Sequence, residues 1–308
     1  MTAPPTASSP PATVAQVVAC HGRLLRLRLA DGSEMPARAL RRDEAIVCGD
    51  EVSYGHDLQH GELRITRVHP RRTALFRSSA RGEGELVAAN LTLLVVVIAP
   101  VPQPDLFVVD RYLAAARSAT LRAVIVLNKC ELGCDERDRP ELEALAAAGY
   151  PLLPCSARLG TGLTELTASL HGECALLVGQ SGVGKSSLLA ALIPGSAARV
   201  GELVRREEGR HTTTTARMHQ LQGGGALIDS PGVRDFAPAI ARLTPPAFGF
   251  VEIERLAPQC RFADCRHLQE PDCAVRAAVA ARQLSPRRYE SYRRLQRLVR
   301  ELAQRQGR

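Results

Sequence analysis

The chain has 308 residues, 45% of them hydrophobic, which is enough for two or three domains with separate cores and excludes a single small module. Its formal net charge of +8 favours a polyanionic partner, although net charge alone does not distinguish RNA from a membrane surface. No apolar run approaches the roughly 18 residues of a membrane span, and the first residues lack the positive start and apolar run of a signal peptide. We therefore expect a cytoplasmic protein with no membrane partner.

Positive charge is carried almost entirely by arginine. Of the 40 basic residues, only Lys129 and Lys185 are lysines. Lysine offers a compact ammonium on a thin stem, whereas arginine offers a wide planar fork. The two lysines therefore mark places where a point charge must enter a narrow site, and both lie in the nucleotide motifs described below.

The first 80 residues divide into a tail and a small β-barrel. Residues 1–12 are rich in Pro, Ala, Ser and Thr, which predicts a disordered tail. From residue 13 to 80, short alternating runs separated by turn signals predict a five-stranded barrel, whose size suits an RNA-binding OB-fold. Any small barrel alternates in this way, so the pattern alone leaves other barrels open. The interleaved basic residues that would suit nucleic acid are Arg26, Arg28, Arg41, Arg42, Arg71 and Arg72.

Residues 81–244 change to buried strands that alternate with helices, the pattern of a doubly wound α/β domain. The strands are predicted at residues 91–99, 122–127, 150–154, 175–178 and 226–228. The helices are predicted at residues 106–120, 140–148, 163–171 and 185–192. From residue 245 to 308 the strands stop, and a mainly helical segment with cysteines and arginines follows.

The strand at residues 175–178 is followed by G-x-x-x-x-G-K-S and then by a predicted helix, which is the context that a phosphate-binding loop requires. Its glycines let backbone N–H groups turn toward the phosphates, and the helix presents its positive end to them. Lys185 would reach the β- and γ-phosphates, and the Ser186 hydroxyl would bind Mg²⁺. The predicted phosphate-binding residues are Gly179, Gln180, Ser181, Gly182, Val183, Gly184, Lys185, Ser186 and Ser187.

Three further segments complete the pattern of a guanine-nucleotide site. D-x-x-G, with Asp229 and Gly232, matches the element that holds Mg²⁺ through water and senses the γ-phosphate. N-K-C-E resembles the guanine reader N-K-x-D, in which the acidic group accepts from guanine N1 and N2; the Glu in place of Asp adds a methylene and can loosen base discrimination. A Ser-Ala pair resembles the loop whose N–H meets guanine O6. The predicted guanine-binding residues are Asn128, Lys129, Glu131, Ser156 and Ala157.

The order of these motifs is unusual, because the base reader precedes the phosphate-binding loop. Conventional GTPases run from the phosphate-binding loop to the base reader. Contacts define a site and chain order does not, so joining the old termini and opening a new break leaves the pocket intact. We therefore predict a circularly permuted P-loop GTPase domain, in which movement at Gly232 is passed directly into the C-terminal segment.

Three thiols and one imidazole occur within fourteen residues near the C-terminus, at Cys260, Cys265, His267 and Cys273. This set is typical of a closed tetrahedral zinc site, which stabilises a segment too small to bury much core. The spacing is not that of a zinc finger, and four unrelated buried side chains are the alternative. The nine cysteines form an odd set that fits a reducing compartment better than a disulfide framework.

Together the permuted order, G-R-H-T-T-T-T at residues 209–215, D-S-P-G at residues 229–232 and the Cys/His cluster resemble the RsgA (YjeQ) family, ribosome-small-subunit-dependent GTPases of bacteria. The resemblance covers nearly the whole chain. It implies an N-terminal OB-fold, a permuted GTPase domain, a zinc-binding C-terminal domain and a role in late maturation of the small ribosomal subunit. The implied ligands are GTP/GDP, Mg²⁺ and one Zn²⁺, the implied partners are the 30S subunit and 16S rRNA, and we expect a monomer.

The resemblance also places Thr213 and Thr214 in switch I, one of them as a Mg²⁺ ligand, and leaves open which one. Val233 occupies the place where many GTPases have the glutamine that orients the attacking water, and an aliphatic side chain cannot do this. His211, directly before the threonines, is the candidate to replace it; an exposed histidine in a mobile loop is the alternative. The predicted catalytic residues are therefore His211, Lys185, Thr213 and Thr214.

The last 27 residues, from 282 to 308, hold nine arginines against two glutamates. Ser285 and Pro286 supply an N-cap and a first-turn proline, which predicts a helix start. One stripe of the helix is apolar and arginines cover the rest, so the predicted Arg-rich helix packs on its own domain and contacts phosphates. A solvated helix face is the alternative. The apolar stripe consists of Leu295, Leu298, Val299 and Leu302.

The sequence as a whole predicts an enzyme that hydrolyses GTP to GDP and phosphate, stimulated by the 30S subunit. A P-loop kinase or ATPase is one alternative, against which the two base-reading segments argue. The other is an RNA-binding protein that uses nucleotide only as a structural ligand, which multiple-turnover phosphate release would exclude.

Overall fold

A computed structural model of the protein describes residues 13–22, 24–39, 45–57, 62–78, 84–193, 215–230, 238–243 and 248–306. The predicted tail at residues 1–12 lies outside these ranges, as do Arg41 and Arg42. None of the helices within these ranges combines the length and the hydrophobicity that a membrane crossing requires.

The first five strands form a closed barrel. They are Thr13–His21 (β1), Leu24–Arg28 (β2), Glu34–Ala39 (β3), Glu51–Asp57 (β4) and Glu62–Val68 (β5). The strand order is β1-β2-β3-β5-β4, it closes through pairing of β4 with β1, and β3 pairs with β5 in parallel. Alternate residues point inward, so that Val17, Leu27 and Ile65 are buried. This is the five-stranded barrel of the OB-fold, and the fold prediction for the N-terminal region is confirmed.

A hairpin that the sequence analysis did not predict follows the barrel. Its two strands are Ala74–Ser78 (β6) and Gly84–Ala89 (β7). The end of the hairpin is fixed to the barrel, because the Ala89 N–H donates to Cys48 O at 3.0 Å and Asn90 Nδ2 donates to Gly49 O at 2.8 Å. A Cβ at Gly49, whose φ is +93°, would overlap the Ala89 carbonyl. The close approach of hairpin and barrel therefore requires a glycine at this position.

The central region is a doubly wound α/β domain. Its strands are Leu93–Ile98 (β8), Arg122–Leu127 (β9), Leu152–Pro154 (β10), Cys174–Val178 (β11), Thr215–Gln220 (β12) and Ala226–Asp229 (β13). Its helices are Leu106–Ser118 (α1), Arg139–Ala147 (α2), Leu163–Leu170 (α3) and Lys185–Leu192 (α4). The strand order is β10-β9-β8-β11-β13-β12, and only β12 runs antiparallel to its neighbour within this order. The predicted architecture is confirmed, and each predicted element ends within two residues of its observed bounds.

Two apolar layers hold this sheet between helices. Helices α1 and α2 pack into one buried cluster, and α3 and α4 pack into another. All six residues of β8 are buried, and they alternate between the two clusters. A continuous apolar strand is what a parallel sheet covered on both faces requires. The sheet is therefore a rigid platform for the loops at its edge.

The parallel strands end along one edge of the sheet, and the nucleotide motifs begin there. Asn128 follows β9, Cys155 follows β10, Gly179 follows β11, and Asp229 is the last residue of β13. Ligands of open α/β sheets bind outside the carboxyl ends of the strands. The strand ends therefore bring together motifs that are up to about a hundred residues apart along the chain, whatever their order.

Strand β12 joins the central sheet to the barrel. It pairs antiparallel with β13 on one side and with β1 on the other, so the two sheets form one run of eleven strands. The register places Ala19 opposite Arg217 and His21 opposite Thr215. The predicted switch I threonines directly precede β12. The predicted switch I is therefore followed directly by a strand that pairs with the barrel strand β1.

The C-terminal region is mainly helical, as predicted. Its helices are Val251–Leu256 (α5), Ala274–Ala280 (α6) and Pro286–Gln306 (α7), with one-turn 3-10 helices at Cys130–Leu132, Ile240–Arg242 and Ala257–Gln259 elsewhere in the described chain. The N-cap prediction for α7 is confirmed, since the Ser285 hydroxyl accepts from the Arg288 N–H at 3.2 Å. Leu295 is buried, while Arg293 and Arg297 on the opposite face are exposed.

A buried ion network docks α7 on α1. The Asp110 carboxylate of α1 accepts from Arg287 Nη1 and from Arg288 Nη1, each at 2.6 Å. Arg288 also forms a bidentate pair with Glu252 of α5 at 2.6 and 2.9 Å, and it lies over the Phe250 ring. Burial lowers the pKa of Arg288, but the carboxylates of Asp110 and Glu252 raise it above its ordinary value. Arg288 is therefore a charged side chain in the core of the interface.

Candidate nucleotide site and metal centre

The loop between β11 and α4 has the backbone of a phosphate-binding loop. Gly179, Gly182 and Gly184 all have positive φ, at +145°, +80° and +94°. A Cβ at Gly179 would overlap the Val97 carbonyl, and a Cβ at Gly184 would overlap the side-chain amide of Asn128. Glycine is therefore required twice, once against the sheet and once against the base reader.

The charged and polar groups of this loop converge on one small cavity. Lys185 Nζ donates to Gly179 O at 2.6 Å and to Gln180 O at 2.7 Å, so the ammonium lies inside the loop. Ser186 is the second residue of α4, and Asp229 at the end of β13 lines the same cavity. An ammonium, a hydroxyl and a carboxylate around one cavity at a helix N-terminus fit a phosphate and its Mg²⁺.

Asn128 connects the three loops of the site. Its side chain is buried, Nδ2 donates to Val183 O of the phosphate-binding loop at 2.8 Å, and Oδ1 accepts from the Ala157 N–H at 3.1 Å. Lys129 has a left-handed backbone, and its Nζ donates to Gly182 O at 2.7 Å. Both residues of the predicted base reader therefore hydrogen-bond to the predicted phosphate-binding loop.

Glu131 lies in the one-turn helix Cys130–Leu132, two residues after Lys129. Its Oε1 is 3.3 Å from Arg158 Nε, and its Oε2 is buried with no hydrogen-bond partner among the described residues. The Ser156 hydroxyl and the local backbone, and to a smaller extent Arg158, hold the pKa of Glu131 below its ordinary value. Glu131 is therefore an ionised carboxylate with one oxygen available to accept, which fits the N–H groups on the edge of guanine.

Some of the predicted site residues lie beyond the described chain. The structure does not describe five of the residues that were singled out from the sequence, which are His211, Thr213, Thr214, Gly232 and Val233. The predicted phosphate-binding residues from Gly179 to Ser187 and the five predicted guanine-binding residues lie together at one edge of the sheet. Arg158 was not among the predicted site residues, although it stands directly after the Ser-Ala pair in the sequence.

The barrel arginines have acidic partners that the sequence analysis did not foresee. Arg71 forms a bidentate pair with the fully buried Asp50 at 2.7 and 2.9 Å. Arg72 pairs with Glu51 at 2.7 Å, and Arg28 pairs with Glu34 at 3.0 Å. Arg26 also approaches the Glu34 carboxylate, at 3.8 Å. The arginines that alternate along the barrel strands thus form ion pairs within the barrel. Their spacing in the sequence is therefore only weak support for contact with nucleic acid.

The four predicted metal ligands come together. Their ligand atoms all lie within 4.8 Å of one another, and His267 Nδ1 is 3.5 Å from both Cys260 Sγ and Cys273 Sγ. The Cys260 and Cys273 sulfurs are 3.9 Å apart. A tetrahedral zinc site with Zn–S of about 2.3 Å and Zn–N of about 2.0 Å has S···N and S···S edges of about 3.5 and 3.8 Å. The cluster, which includes Cys265, is therefore compatible with Zn²⁺.

Helix α7 holds the cluster in position. The Tyr289 hydroxyl donates to His267 O at 2.6 Å, and the Tyr292 hydroxyl donates to Arg266 O at 2.9 Å. Burial lowers the pKa of the His267 imidazole, which favours the neutral form that binds metals. The Glu270 carboxylate accepts from three backbone N–H groups of the same loop, at Arg266, Leu268 and Gln269. The cluster is thus built on one loop and one long helix.

A cavity of about 450 Å³ lies at the opposite end of the sheet from these motifs. It is lined mainly by apolar side chains near the amino ends of β8 and β9, including Leu93 and Val124. Its two arginines have carboxylate partners: Arg117 pairs with Glu254 and Arg122 pairs with Glu173. No group of the nucleotide motifs lines it, so its size does not make it the candidate site.

Comparison with known proteins identifies relatives along most of the chain. The family model described as RsgA GTPase matches residues 68–238. A protein of Azotobacter vinelandii named "Small ribosomal subunit biogenesis GTPase RsgA" is 45% identical over 254 residues, covering 81% of this chain and 74% of that protein. A protein of the same name from Pseudomonas aeruginosa is 40% identical over 288 residues, covering 92% and 84% of the two chains.

Solved structures agree with this result. The crystal structure of YjeQ from Thermotoga maritima is 28% identical, covers 96% of this chain and 99% of its own, and superposes with a TM-score of 0.71. YloQ, described as a circularly permuted GTPase, has a TM-score of 0.70 at 20% identity and supports the fold alone. The chain therefore belongs to the RsgA GTPase family and is a GTP hydrolase.

Proposed function

We propose that this protein hydrolyses GTP to GDP and phosphate in a reaction that the 30S ribosomal subunit stimulates, during late maturation of the small subunit. The observation that carries the proposal is the junction at Asn128, which ties the base reader to the phosphate-binding loop and to the loop at Ala157. Relatives at 45% and 40% identity are named for biogenesis of the small ribosomal subunit. We also propose that the protein acts as a monomer in the cytoplasm.

The proposed roles rest on the sequence motifs and, for the described residues, are supported by the positions of the side chains. Lys185 neutralises the β- and γ-phosphates, Ser186 binds Mg²⁺, and Asp229 holds the same ion through water. With Mg²⁺ bound, the ion supplies positive charge that stabilises the transferring phosphoryl group. Asn128 and Glu131 select guanine. The remaining nucleotide-binding residues of the proposal are Lys129, Ser156, Ala157, Gly179, Gln180, Ser181, Gly182, Val183, Gly184, Ser187 and Gly232.

The group that orients the attacking water is proposed from the sequence, because His211, Thr213 and Thr214 lie outside the described residues. Val233 cannot hydrogen-bond a water molecule through its side chain. His211 adjoins the two switch I threonines and is the proposed orienting group. The strand that follows them, β12, is paired on both sides, so their anchor is rigid at one end.

We propose one zinc ion held by Cys260, Cys265, His267 and Cys273, and contact of this region with 16S rRNA. The distances between the ligand atoms support the metal, and the row of arginines on the outer face of α7 supports the rRNA contact. The proposed domain limits are a tail at residues 1–12, a barrel at 13–80, a GTPase domain at 81–244 and a zinc-binding domain at 245–308. The 80/81 limit falls between the two strands of the β6–β7 hairpin.

The proposal is tested by release of phosphate over many turnovers, measured with GTP and with ATP, with and without purified 30S subunits. We expect hydrolysis of GTP that the 30S subunit accelerates and little hydrolysis of ATP, because a site built for guanine N–H groups leaves Glu131 unmatched by adenine. Lys185→Ala is the control that separates this activity from a contaminant, and it should abolish turnover. Equal rates with ATP, or no acceleration by 30S subunits, would reject the proposal.

A further inference from the structure

The glutamate of the base reader raises a geometric problem. A carboxylate that reads guanine accepts from two neighbouring donors, N1–H and the N2 amino group, so its plane must be fixed as well as its position. Glu131 has one more rotatable bond than the aspartate of the usual motif. A longer side chain retains more conformational freedom, and ordering it on binding opposes affinity. Something in this protein must therefore restrict Glu131.

Arg158 is placed to supply part of that restriction, next to the Ser156 hydroxyl. Its Nε lies 3.3 Å from Glu131 Oε1, and Oε2 is left buried without a hydrogen-bond partner among the described residues. The arginine side chain is 74% exposed, whereas that of the glutamate is 15% exposed. The contact therefore restrains the outer oxygen from the solvent side, and it leaves the inner oxygen and a second lone pair of the outer oxygen to accept from a ligand.

The backbone on both sides of this contact is held by hydrogen bonds. The Cys130 N–H donates to Cys155 O at 3.0 Å, which fixes the two loops against each other. The Ala157 N–H donates to Asn128 Oδ1, and the Leu159 N–H donates to the Ser156 hydroxyl at 3.0 Å. Arg158 thus projects from a rigid turn, and its contact with Glu131 bridges two fixed loops.

We propose that Arg158 is a positioning residue for guanine recognition, which holds Glu131 by Oε1 so that the carboxylate meets N1–H and the N2 amino group in one plane. The inference rests on the proposed function, since it concerns the base that the same site binds. The residue acts through Glu131 and not on the phosphates. Loss of Arg158 should therefore weaken binding of a base that offers both N1–H and the N2 amino group more than binding of a base that offers N1–H alone.

The experiment compares GDP with inosine diphosphate, which lacks only the N2 amino group. Dissociation constants for both are measured by titration calorimetry with the full chain and Mg²⁺, for the wild type, Arg158→Ala and Arg158→Gln. An exposed ion pair contributes little, so we expect Arg158→Ala to weaken GDP by about two- to five-fold and to weaken the inosine nucleotide less. The ratio of the two affinities falls with Arg158→Ala. Arg158→Gln is shorter than arginine and uncharged but keeps an amide nitrogen at the position of Nε, so its ratio should lie between those of Arg158→Ala and the wild type.

Two further variants make the test specific. In a Glu131→Asp background the shorter carboxylate no longer needs the arginine, so Arg158→Ala should leave the ratio unchanged there. Arg137→Ala, which removes an exposed arginine that makes no ion pair with Glu131, is the matched charge control and should leave the ratio unchanged. Equal weakening of both nucleotides by Arg158→Ala, or the same fall in the Asp background, would overturn the positioning role.

The outcome is separable from failure of the proposed function. If the wild type bound ADP as tightly as GDP, guanine selection itself would be absent and the proposed function would fail. If the wild type preferred GDP and Arg158→Ala kept the full ratio of GDP to inosine diphosphate, only the role of Arg158 would be rejected.

Discussion

The barrel and the C-terminal region are joined to the GTPase domain by different kinds of contact. The barrel is joined through main-chain pairing of β1 with β12 and through the end of the β6–β7 hairpin. The C-terminal region is joined through side chains, with Asp110, Arg287 and Arg288 at the centre of a buried ion network. A strand ladder depends little on which side chains it carries, whereas a buried ion network depends on every charge in it.

The segment after D-x-x-G touches both of these regions. The Ala239 N–H donates to Phe76 O of the hairpin at 3.1 Å, and Pro238 O accepts from Arg111 of α1 at 3.2 Å. The one-turn helix Ile240–Arg242 that follows packs against α7. The permuted motif order predicts that movement at Gly232 passes into the C-terminal segment. Residues 238–243 contact the hairpin as well as α7, and passage of a movement from Gly232 into them stays a prediction.

The largest effect is expected from loss of the metal ligands. Cys265→Ser should remove about one equivalent of zinc per chain and unfold the C-terminal region, because zinc binding to such a site is worth about 10 kcal/mol or more. GDP binding should largely survive, since no zinc ligand lies at the nucleotide edge of the sheet. Metal analysis, proteolysis and GDP titration measure these three properties.

Cys134→Ser is the matched control for the metal, because Cys134 is a partly exposed cysteine outside the cluster. It should keep full zinc content and full resistance to proteolysis. Full zinc in Cys265→Ser would reject this ligand set. Loss of GDP binding together with the zinc would show that the C-terminal region and the nucleotide site fold as one unit.

The next effect concerns the ion network itself. Asp110→Asn keeps the shape of the side chain but leaves Arg288 with one carboxylate in a buried site, so the free energy of unfolding should fall by about 3–5 kcal/mol. Urea unfolding monitored by circular dichroism measures the change. Glu290→Gln, which removes an exposed partner of Arg293 and Arg297, is the control and should change stability by at most about 1 kcal/mol. A loss below 1 kcal/mol for Asp110→Asn would contradict the difference drawn between the two attachments.

A smaller effect, with a defined pH dependence, is expected at Tyr150. Its hydroxyl donates to Gly249 O at 3.0 Å, and burial raises the pKa of Tyr150 to about 12. The unfolded chain loses this proton near pH 10, so the stabilisation is fully present below pH 10 and is lost as the pH rises to 12. The loss amounts to about 2–3 kcal/mol. Tyr150→Phe should therefore show a shallower fall in unfolding free energy between pH 10 and 12, and an identical fall in both proteins would contradict the assignment.

Much of the fold could be predicted from the sequence, because it depends on local patterns. The alternation in the barrel and the apolar runs of β8 and β9 are periodic signals, and Ser285 is a local capping signal. The β6–β7 hairpin was missed because its strands are short. The contacts that hold it in place are tertiary, such as the hydrogen bond from the Ala89 N–H to Cys48 O. The acidic partners of the barrel arginines were missed for a related reason, since Arg71 meets Asp50 only in the folded barrel. Contact of these arginines with nucleic acid stays a prediction.

The candidate site was predictable in a different way. The phosphate-binding loop and the base reader are motifs of fixed spacing, so their residues could be named without a structure. The contact of Glu131 with Arg158 joins two loops that are distant in sequence, and no spacing of residue types predicts such a contact. The pairing of β12 with β1 was unforeseen for the same reason, because backbone hydrogen bonding between domains leaves no signature in side chains.

The smallest effect is expected at the side-chain contact of the barrel interface. Arg217 Nη2 lies 3.6 Å from Glu34 Oε2, and the arginine side chain is 40% exposed, so Arg217→Ala should lower the free energy of unfolding by less than about 1 kcal/mol. Glu34 keeps its pairs with Arg28 and Arg26 in this variant. Arg217 also lies opposite Ala19 in the β1–β12 ladder, whose main-chain bonds an alanine preserves. Hydrogen exchange of the β1 amides should therefore remain as slow as in the wild type. If Arg217→Ala instead cost about 3 kcal/mol or more, or if the β1 amides exchanged freely, the barrel would be held by side chains in the same way as α7, and the contrast between the two attachments would be wrong.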